Sequence, residues 1–110
     1  MKYKKEDIVL VHFPFSNLKE SKIRPALVII PLEGENIILC QISTKKRGLA
    51  EYEVPLNKSS CEGDIRFDSH IYIDMLFTLH ETLILGKIGN IKEDTIKEEL
   101  ESKLKSMLFD

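Results

Sequence analysis

Short apolar segments alternate with turn-forming residues along most of this 110-residue chain, and only the final segment has a helical period. The earlier segments are rich in β-branched and aromatic residues, which is typical of strands. The predicted strands are 8–13, 26–32, 37–43, 51–56, 70–74 and 83–91, and the predicted turns or loops include 14–23, 33–36 and 57–64. From Ile96 onward, apolar residues recur at spacings of three and four, which predicts an amphipathic helix packed on the sheet. This order indicates a mainly β fold with an appended helix, a small barrel of about six to seven strands, rather than a βαβ fold.

The last predicted strand contains Gly86 and Gly89. Glycine inside a strand is typical of a bulge or a sharp bend. Strands that bend are what a small, strongly curved barrel requires, so these glycines favour the same fold.

Composition indicates one ordinary globular domain over residues 1–110, with 43% hydrophobic and 31% charged residues. No apolar run is long enough to cross a bilayer, and the N-terminal run contains His12 and lacks a signal-peptide cleavage site. We therefore expect a cytoplasmic protein without membrane contact. Cys40 in an apolar strand and Cys61 in a turn region fit buried free thiols better than a disulfide.

The sequence lacks the motifs of metal sites and of several large enzyme classes. Its three histidines are scattered, and there is no Cys-x-x-Cys, no HExxH and no acidic cluster, so we expect no metal and no cofactor. A glycine-rich phosphate loop and a G-x-S-x-G elbow are also missing. Any catalysis must therefore come from residues without a strong local signature.

Positive charge is concentrated in two short clusters, although the net charge of the chain is −2. One cluster is Lys19, Lys22 and Arg24, and the other is the run 45–47, Lys-Lys-Arg. Two local clusters on a nearly neutral body fit a small phosphate-contacting site better than a long nucleic-acid groove.

Arg24 is the strongest single candidate for a functional residue. Pro25 fixes φ and lacks an N–H donor, so a strand begins there and Arg24 is held extended at its rim. A guanidinium stays protonated and can donate two parallel hydrogen bonds to phosphate oxygens. The alternative is a structural ion pair with a nearby carboxylate such as Glu20.

Two polar pairs at strand ends are further candidates. Ser43 and Thr44 end the third predicted strand, where a hydroxyl could donate to a phosphate or a developing oxyanion. Asp68 and Ser69 precede the fifth and could supply a carboxylate or a hydroxyl. The alternatives are turn formation for the first pair and turn capping for the second.

Several segments taken in order resemble the MazF/PemK family of toxin endoribonucleases. The segments are DIVLVHFPFS, IRPALVII, ILCQIST, DSHIYIDMLFTL and LILGKIGNI, and the match runs from about Asp7 to the C-terminal helix. The resemblance implies an SH3-like barrel of the MazF/CcdB type, usually a homodimer. It also implies metal-independent cleavage of single-stranded RNA at short motifs, in which the 2′-OH attacks the phosphate and leaves a 2′,3′-cyclic phosphate and a 5′-OH.

The resemblance also implies roles for particular residues. Arg24 would hold the phosphorane and protonate the leaving 5′-oxygen, and Ser43 would hydrogen-bond the scissile phosphate. The general base is left open among Glu20, Asp68 and His12. The implied RNA contacts are Lys19, Lys22, Thr44, Lys45, Lys46, Arg47 and Ser69.

The chain departs from the family pattern in three places. Residues 16–22 contain no glycine, where many relatives have one before the arginine. Phe67 stands where some relatives have an arginine before the aspartate, with Arg66 one residue earlier. His12 stands at a position that is often acidic.

Partners follow from the same resemblance. A small antitoxin with a short apolar, acidic segment would cover residues 19–24 and compete with RNA, and operator DNA would be bound only together with it. Dimer contacts are predicted at Ile71, Met75, Leu76 and Phe77. Two other functions stay open: a non-catalytic poison of the CcdB type, and an SH3-like module that binds nucleic acid or protein.

Overall fold

A computed structural model of the chain describes residues 2–13 and 22–110. Within these residues the protein forms seven strands and a C-terminal helix, which confirms the predicted mainly β fold. The strands are β1 (Asp7–His12), β2 (Ile23–Pro31), β3 (Asn36–Ser43), β4 (Glu53–Leu56), β5 (Cys61–Gly63), β6 (Ser69–His80) and β7 (Ile84–Ile91), and the helix is α1 (Asp94–Phe109). Short 3₁₀ turns at Lys58–Ser60 and Glu81–Leu83 precede β5 and β7.

The strands form one curled antiparallel sheet in the order β4-β6-β3-β2-β1-β7-β5. Register shifts interrupt the pairing of β1 with β7, of β2 with β3 and of β3 with β6. On β7 the shifts fall beside Gly86 and Gly89, where the sequence predicts bends. Because a bulge bends its strand and increases the local twist, these shifts allow the sheet to curl.

Two buried clusters of apolar side chains hold the fold together. The first joins the strands to the helix through Ile8, Leu27, Cys40, Ile42, Val54, Leu56, Cys61, Ile71, Ile73, Ile91, Ile96 and Leu100. The second consists of Tyr3, Val9, Val11, Phe13, Ala26, Val28, Ile37, Leu39 and Ile84. Neighbours such as Ile8 and Val9 fall in different clusters because side chains alternate between the faces of a strand. Burial of Ile96 and Leu100 confirms the predicted amphipathic helix.

β5 differs from the prediction, because its segment reads as turns. It pairs with β7 around Gly63, which has a φ of +103°. A Cβ at Gly63 would lie 2.3 Å from the carbonyl oxygen of Ile88, so only glycine permits this close approach. A three-residue strand gives no alternation that a sequence pattern could reveal.

β6 also differs, since it continues to His80 rather than ending at residue 74. It stays paired with β3 as far as Asn36, on both sides of the bulge between Cys40 and Gln41. The bulge changes which residues face the core, so the alternation that identifies a strand is broken there.

The cysteines and one predicted dimer residue are buried in the protomer. Cys40 and Cys61 are free thiols, as expected, and burial raises the pKa of both. Ile71 has no exposed surface, so its prediction as a dimer contact is wrong. Met75, Leu76 and Phe77 are only half-buried, and for them the contact stays a prediction.

Candidate active site at the ends of β2 and β3

Arg24 is the second residue of β2, directly before Pro25. It pairs with Val11 of β1 and is half-buried. Among the residues that the structure describes, no side chain forms a hydrogen bond or ion pair with its guanidinium. The alternative partner Glu20, like Lys19, lies outside the described residues. As far as the described residues are concerned, the N–H donors of the Arg24 guanidinium are therefore available to a bound phosphate.

Ser43 is brought next to Arg24 by strand register. Ala26 pairs with Gln41, and Leu27 pairs with Cys40. Extending this register by two residues sets Arg24 opposite Ser43, at the ends of two neighbouring strands. Neighbouring strands are about 4.8 Å apart, and directly opposed side chains lie on the same face. The two residues predicted to contact the phosphate thus come to one place.

The Ser43 hydroxyl makes a turn contact, which the sequence offers as the alternative to a phosphate contact. Its oxygen accepts a hydrogen bond from the backbone N–H of Lys45 at 3.2 Å. Because the oxygen is the acceptor in this contact, the O–H remains able to donate elsewhere. Thr44, Lys45 and Lys46 follow as exposed residues, and within the described chain neither lysine forms an ion pair.

His70 is a neighbour of this pair that sequence analysis did not select. It lies directly opposite Ser43 in the pairing of β3 with β6 and is half-buried. With the register of β2 and β3 extended to Arg24, the residues Arg24, Ser43 and His70 fall in a row across three adjacent strands. The alternation in residues 70–74 predicts the face of His70, but only the register identifies Ser43 as its neighbour.

Asp68 and Ser69 both form local turn contacts. The Asp68 carboxylate accepts the backbone N–H of Lys58 at 2.9 Å, across the 3₁₀ turn before β5. The Ser69 hydroxyl donates to the carbonyl oxygen of Phe67 at 3.3 Å. The capping role is thus present for Asp68, and its catalytic role stays a prediction.

Arg47 differs from the other residues of its basic cluster. Its Nε donates to Glu53 Oε1 at 2.7 Å, and its two terminal nitrogens donate to the Asp74 carboxylate at 2.8 and 3.2 Å. Its backbone N–H also donates to Glu53 Oε1, at 2.9 Å. These contacts give Arg47 a structural role, and its RNA contact stays a prediction.

Arg47 and Glu53 stabilise each other's charged forms. The hydrogen bond to Asp74 raises the pKa of Arg47 against the opposing effect of burial. Burial alone would raise the pKa of Glu53, but hydrogen bonds and charge from Arg47 lower it overall. The loop that carries Lys45 and Lys46 is therefore held to β4 and β6 by the ion pairs of Arg47 with Glu53 and Asp74.

Two other predicted residues, Lys22 and His12, lie near Arg24 at the end of the strand pairing of β1 with β2. Lys22 is exposed just before β2, and its carbonyl oxygen accepts the N–H of Phe13 at 3.1 Å. His12 is exposed and pairs with Ile23. Since Arg24 pairs with Val11, alternation turns His12 toward the opposite face of β1.

A largely apolar cavity of about 280 Å³ lies on the other face of the same strand ends. Pro25 and Thr44, the neighbours of Arg24 and Ser43, line it together with Arg66 and Phe67. The Phe67 side chain is 68% exposed, so its ring is available at the mouth of the cavity. The cavity therefore adjoins the row of Arg24, Ser43 and His70 around the rim of the sheet.

Residues 2–13 and 22–110 contain neither a metal-ligand cluster nor a membrane-spanning helix. No group of three His, Cys, Asp or Glu side chains in these ranges is arranged to hold a metal ion. No helix there is both long and apolar enough to span a bilayer.

Comparison with solved structures gives close agreement in fold at low sequence identity. The Mycobacterium tuberculosis toxin MazF-mt6 superimposes with a TM-score of 0.71 at 20% identity, covering 91% of this chain and 93% of that one. MazF in a MazE–MazF structure from Deinococcus radiodurans gives 0.74 at 19% identity, with 98% and 96% covered. An endoribonuclease from a mycobacterial species, in complex with its cognate antitoxin, gives 0.74 at 10% identity, with 96% and 94% covered.

Comparison with sequence families identifies the family of the chain, whereas the solved structures show its fold. Among curated protein sequences, no match was found. The family described as PemK-like, MazF-like toxin of type II toxin–antitoxin system matches residues 4–108, which is nearly the whole chain. This match agrees with the order of segments in the sequence and with the fold. The chain therefore belongs to the PemK-like, MazF-like toxin family of type II toxin–antitoxin systems.

Proposed function

We propose that this toxin is an endoribonuclease that cleaves single-stranded RNA at short sequence motifs, with no metal ion in the reaction. The observation that carries the proposal is the pairing of Ala26 with Gln41, which sets Arg24 opposite Ser43 when extended by two residues, in a chain of this family. A fixed cation and a hydroxyl donor on neighbouring strand ends suit a phosphate whose negative charge increases during the reaction.

The proposed reaction is an internal transesterification. The ribose 2′-oxygen forms a bond to phosphorus and the bond from phosphorus to the 5′-oxygen breaks, which leaves a 2′,3′-cyclic phosphate and a 5′-OH. Arg24 donates two hydrogen bonds to the phosphorane and gives a proton to the leaving oxygen, regaining one from solvent. Ser43 donates its O–H to a non-bridging oxygen. These contacts strengthen as charge develops, so they lower the barrier more than they tighten substrate binding.

The exposed cations and the apolar cavity support an unpaired RNA as the substrate. Lys22, Lys45 and Lys46 lie beside the row as exposed cations that suit neighbouring phosphates. Lys19, Thr44, Arg47 and Ser69 complete the proposed contacts. An exposed phenylalanine at an apolar cavity suits the face of a splayed base, and only unpaired RNA offers such a face.

An antitoxin partner is proposed on the same grounds. One of the similar structures is an endoribonuclease in complex with its cognate antitoxin, and another is a MazE–MazF structure. We propose that an acidic, apolar segment of a small antitoxin covers the strand ends around Arg24 and competes with RNA by mimicking its charge. A homodimer through Met75, Leu76 and Phe77, and operator binding only with the antitoxin, belong to the same proposal.

Incubation of purified protein with a long single-stranded RNA in EDTA tests the enzymatic function. We expect cleavage, with 2′,3′-cyclic phosphate and 5′-OH termini on the fragments. Arg24→Ala should remain folded and cleave on the order of 10²–10³ more slowly. Lys105→Ala, which removes an exposed cation of α1, serves as the control and should cleave normally. Intact RNA with the wild-type protein, or equal cleavage by Arg24→Ala, would refute the proposal.

A non-catalytic poison of the CcdB type is the second candidate. The observation that favours it is the exposure of Leu108 and Phe109 at the end of α1, where Phe109 is 81% exposed. A target protein could bind these apolar residues. In that case growth inhibition would persist in Arg24→Ala and disappear in Phe109→Ala, which is the reverse of the pattern expected for the nuclease.

A further inference from the structure

His70 lies next to the proposed phosphate site, at a position that no sequence motif identifies. It lies directly opposite Ser43 across β3 and β6, and Ser43 lies opposite Arg24 in the extended register of β2 and β3. Directly opposed residues of an antiparallel pair have their Cβ atoms about 4.5–5.5 Å apart. A group bound between Arg24 and Ser43 is therefore within reach of the imidazole.

The other candidates for the general base have weaker positions. The Asp68 carboxylate is directed to the backbone N–H of Lys58. His12 pairs with Ile23 and so projects from the face opposite to Arg24. Glu20 lies outside the described residues. Of these candidates and His70, only His70 is seen paired directly with Ser43.

We propose that His70 is the general base of the RNA cleavage, an assignment that rests on the proposed nuclease function. An unprotonated imidazole nitrogen of His70 takes the proton from the ribose 2′-OH as the bond from that oxygen to phosphorus forms. The bond from phosphorus to the 5′-oxygen then breaks, and the leaving oxygen is protonated by Arg24. The imidazolium of His70 returns its proton to solvent after the products leave.

The surroundings of His70 permit both access and proton exchange. A cavity of about 360 Å³ borders it, and the charged groups lining that cavity are Lys46, Glu53, Glu99 and Lys103. Glu53 is paired with Arg47, and Lys103 is paired with Glu99 at 2.8 Å. Lys46 is the remaining charge and is exposed, so it can attract RNA toward the imidazole.

The pH dependence of cleavage tests the assignment. For wild-type protein we expect kcat/KM to rise with pH between 5 and 8, the interval in which histidine ordinarily loses its proton. His70→Gln keeps a polar side chain but cannot exchange a proton, so it should lose this rise and be about 10²–10⁴-fold slower. His80→Gln is the control, because His80 lies at the far end of β6 and contacts Glu35 and Thr82. Its profile should match that of the wild type.

Two further measurements separate proton transfer from a structural role. Added imidazole should restore part of the cleavage by His70→Ala, since a free base can occupy the vacated space, and should not affect Arg24→Ala. A substrate with sulfur in place of the leaving 5′-oxygen needs no acid. The defect of His70→Gln should persist on this substrate, because the 2′-OH must still be deprotonated.

Each outcome distinguishes the general-base assignment from the nuclease proposal. If the wild-type protein cleaves RNA and His70→Gln has the same pH profile, the assignment is overturned and the nuclease stands. If the defect of His70→Gln disappears on the sulfur substrate, His70 is an acid and the assignment is again overturned. If the wild-type protein cleaves no RNA, the nuclease proposal itself fails, and the assignment fails with it.

Discussion

The guanidinium of Arg47 lies over the ring of Tyr72, with its central carbon 3.8 Å from the ring centroid. The Tyr72 hydroxyl donates to the carbonyl oxygen of Lys45, two residues before Arg47. One residue of β6 thus holds the loop after β3 by its ring and by its hydroxyl. Together with the pairs to Glu53 and Asp74, this stacking fixes the segment that presents Lys45 and Lys46 beside the proposed active site.

Arg47→Ala is expected to destabilise the protein by about 2 kcal/mol. The substitution leaves the carboxylate of Glu53, which is 5% exposed, without its cationic partner, and unpaired buried charge is costly. The value is set below that of a fully buried pair because Arg47 itself is partly exposed. Urea unfolding measures the change, and a fall of about 10 °C in Tm should accompany it.

The double variant Arg47→Met/Glu53→Gln should be more stable than Arg47→Ala, because it removes the unpaired charge together with its partner. Lys46→Ala, one residue away and exposed, should leave stability unchanged. Equal stability of Arg47→Ala and the wild type would show that the pair contributes nothing to the fold.

The same pair predicts a loss of stability in acid. The pKa of Glu53 in the folded protein lies below its ordinary value of 4.5, so the folded state favours the ionised form. Its contribution is therefore fully present above the unfolded pKa and decreases as the pH falls through the folded one. The free energy of unfolding should decrease more steeply for wild type than for Glu53→Gln between about pH 5 and pH 3. Parallel curves for the two proteins would contradict the assignment.

The contrast between Arg47 and its neighbours shows what sequence patterns can and cannot reveal. Alternation and β-branched residues predict most strands, and the spacing from Ile96 predicts the helix, because these patterns are local. The run 45–47 reads as one basic cluster, yet Arg47 turns toward Asp74, a partner 27 positions away in sequence. Such a contact depends on strand register, which no local pattern determines.

Prediction of the row of Arg24, Ser43 and His70 from sequence is limited in the same way. Arg24 and Ser43 could be selected from their strand ends and from the family resemblance, without knowledge of how β2 pairs with β3. His70 has no motif of its own, and it becomes a candidate only when β6 is seen to pair with β3. Asp68 is a candidate general base in the sequence. Its contact with the backbone N–H of Lys58 is visible only in the fold.

Gly63→Ala is expected to destabilise the protein by about 3 kcal/mol and to weaken the pairing of β5 with β7. The added Cβ meets backbone atoms of Ile88 and Gly89 at 2.3 and 2.5 Å, and the φ of +103° is unfavourable for alanine. Urea unfolding measures the loss.

Alanine substitutions at two other glycines separate the steric clash from the effect of the positive φ. Gly34 also has a positive φ, +98°, but a Cβ there meets nothing within 4 Å, so Gly34→Ala should cost only about 1 kcal/mol. Gly86→Ala meets no atom either and needs no left-handed backbone, so it should be nearly neutral. If all three variants were equally stable, the close approach of β5 to β7 would not be the reason for glycine at position 63.

Phe67→Ala is expected to weaken RNA binding and to relax the base preference at one position beside the cleavage site. The ring lies at the mouth of the apolar cavity next to Pro25 and Thr44, and stacking of one base on an aromatic ring is worth about 1–3 kcal/mol. Binding is measured with a 2′-O-methyl oligonucleotide, which cannot be cleaved because it lacks the attacking hydroxyl, and Kd should rise about tenfold. Phe67→Tyr keeps the ring and should retain both affinity and preference. Leu85→Ala removes another exposed apolar side chain, from β7, and should change neither. An unchanged Kd for Phe67→Ala would exclude base stacking at this cavity.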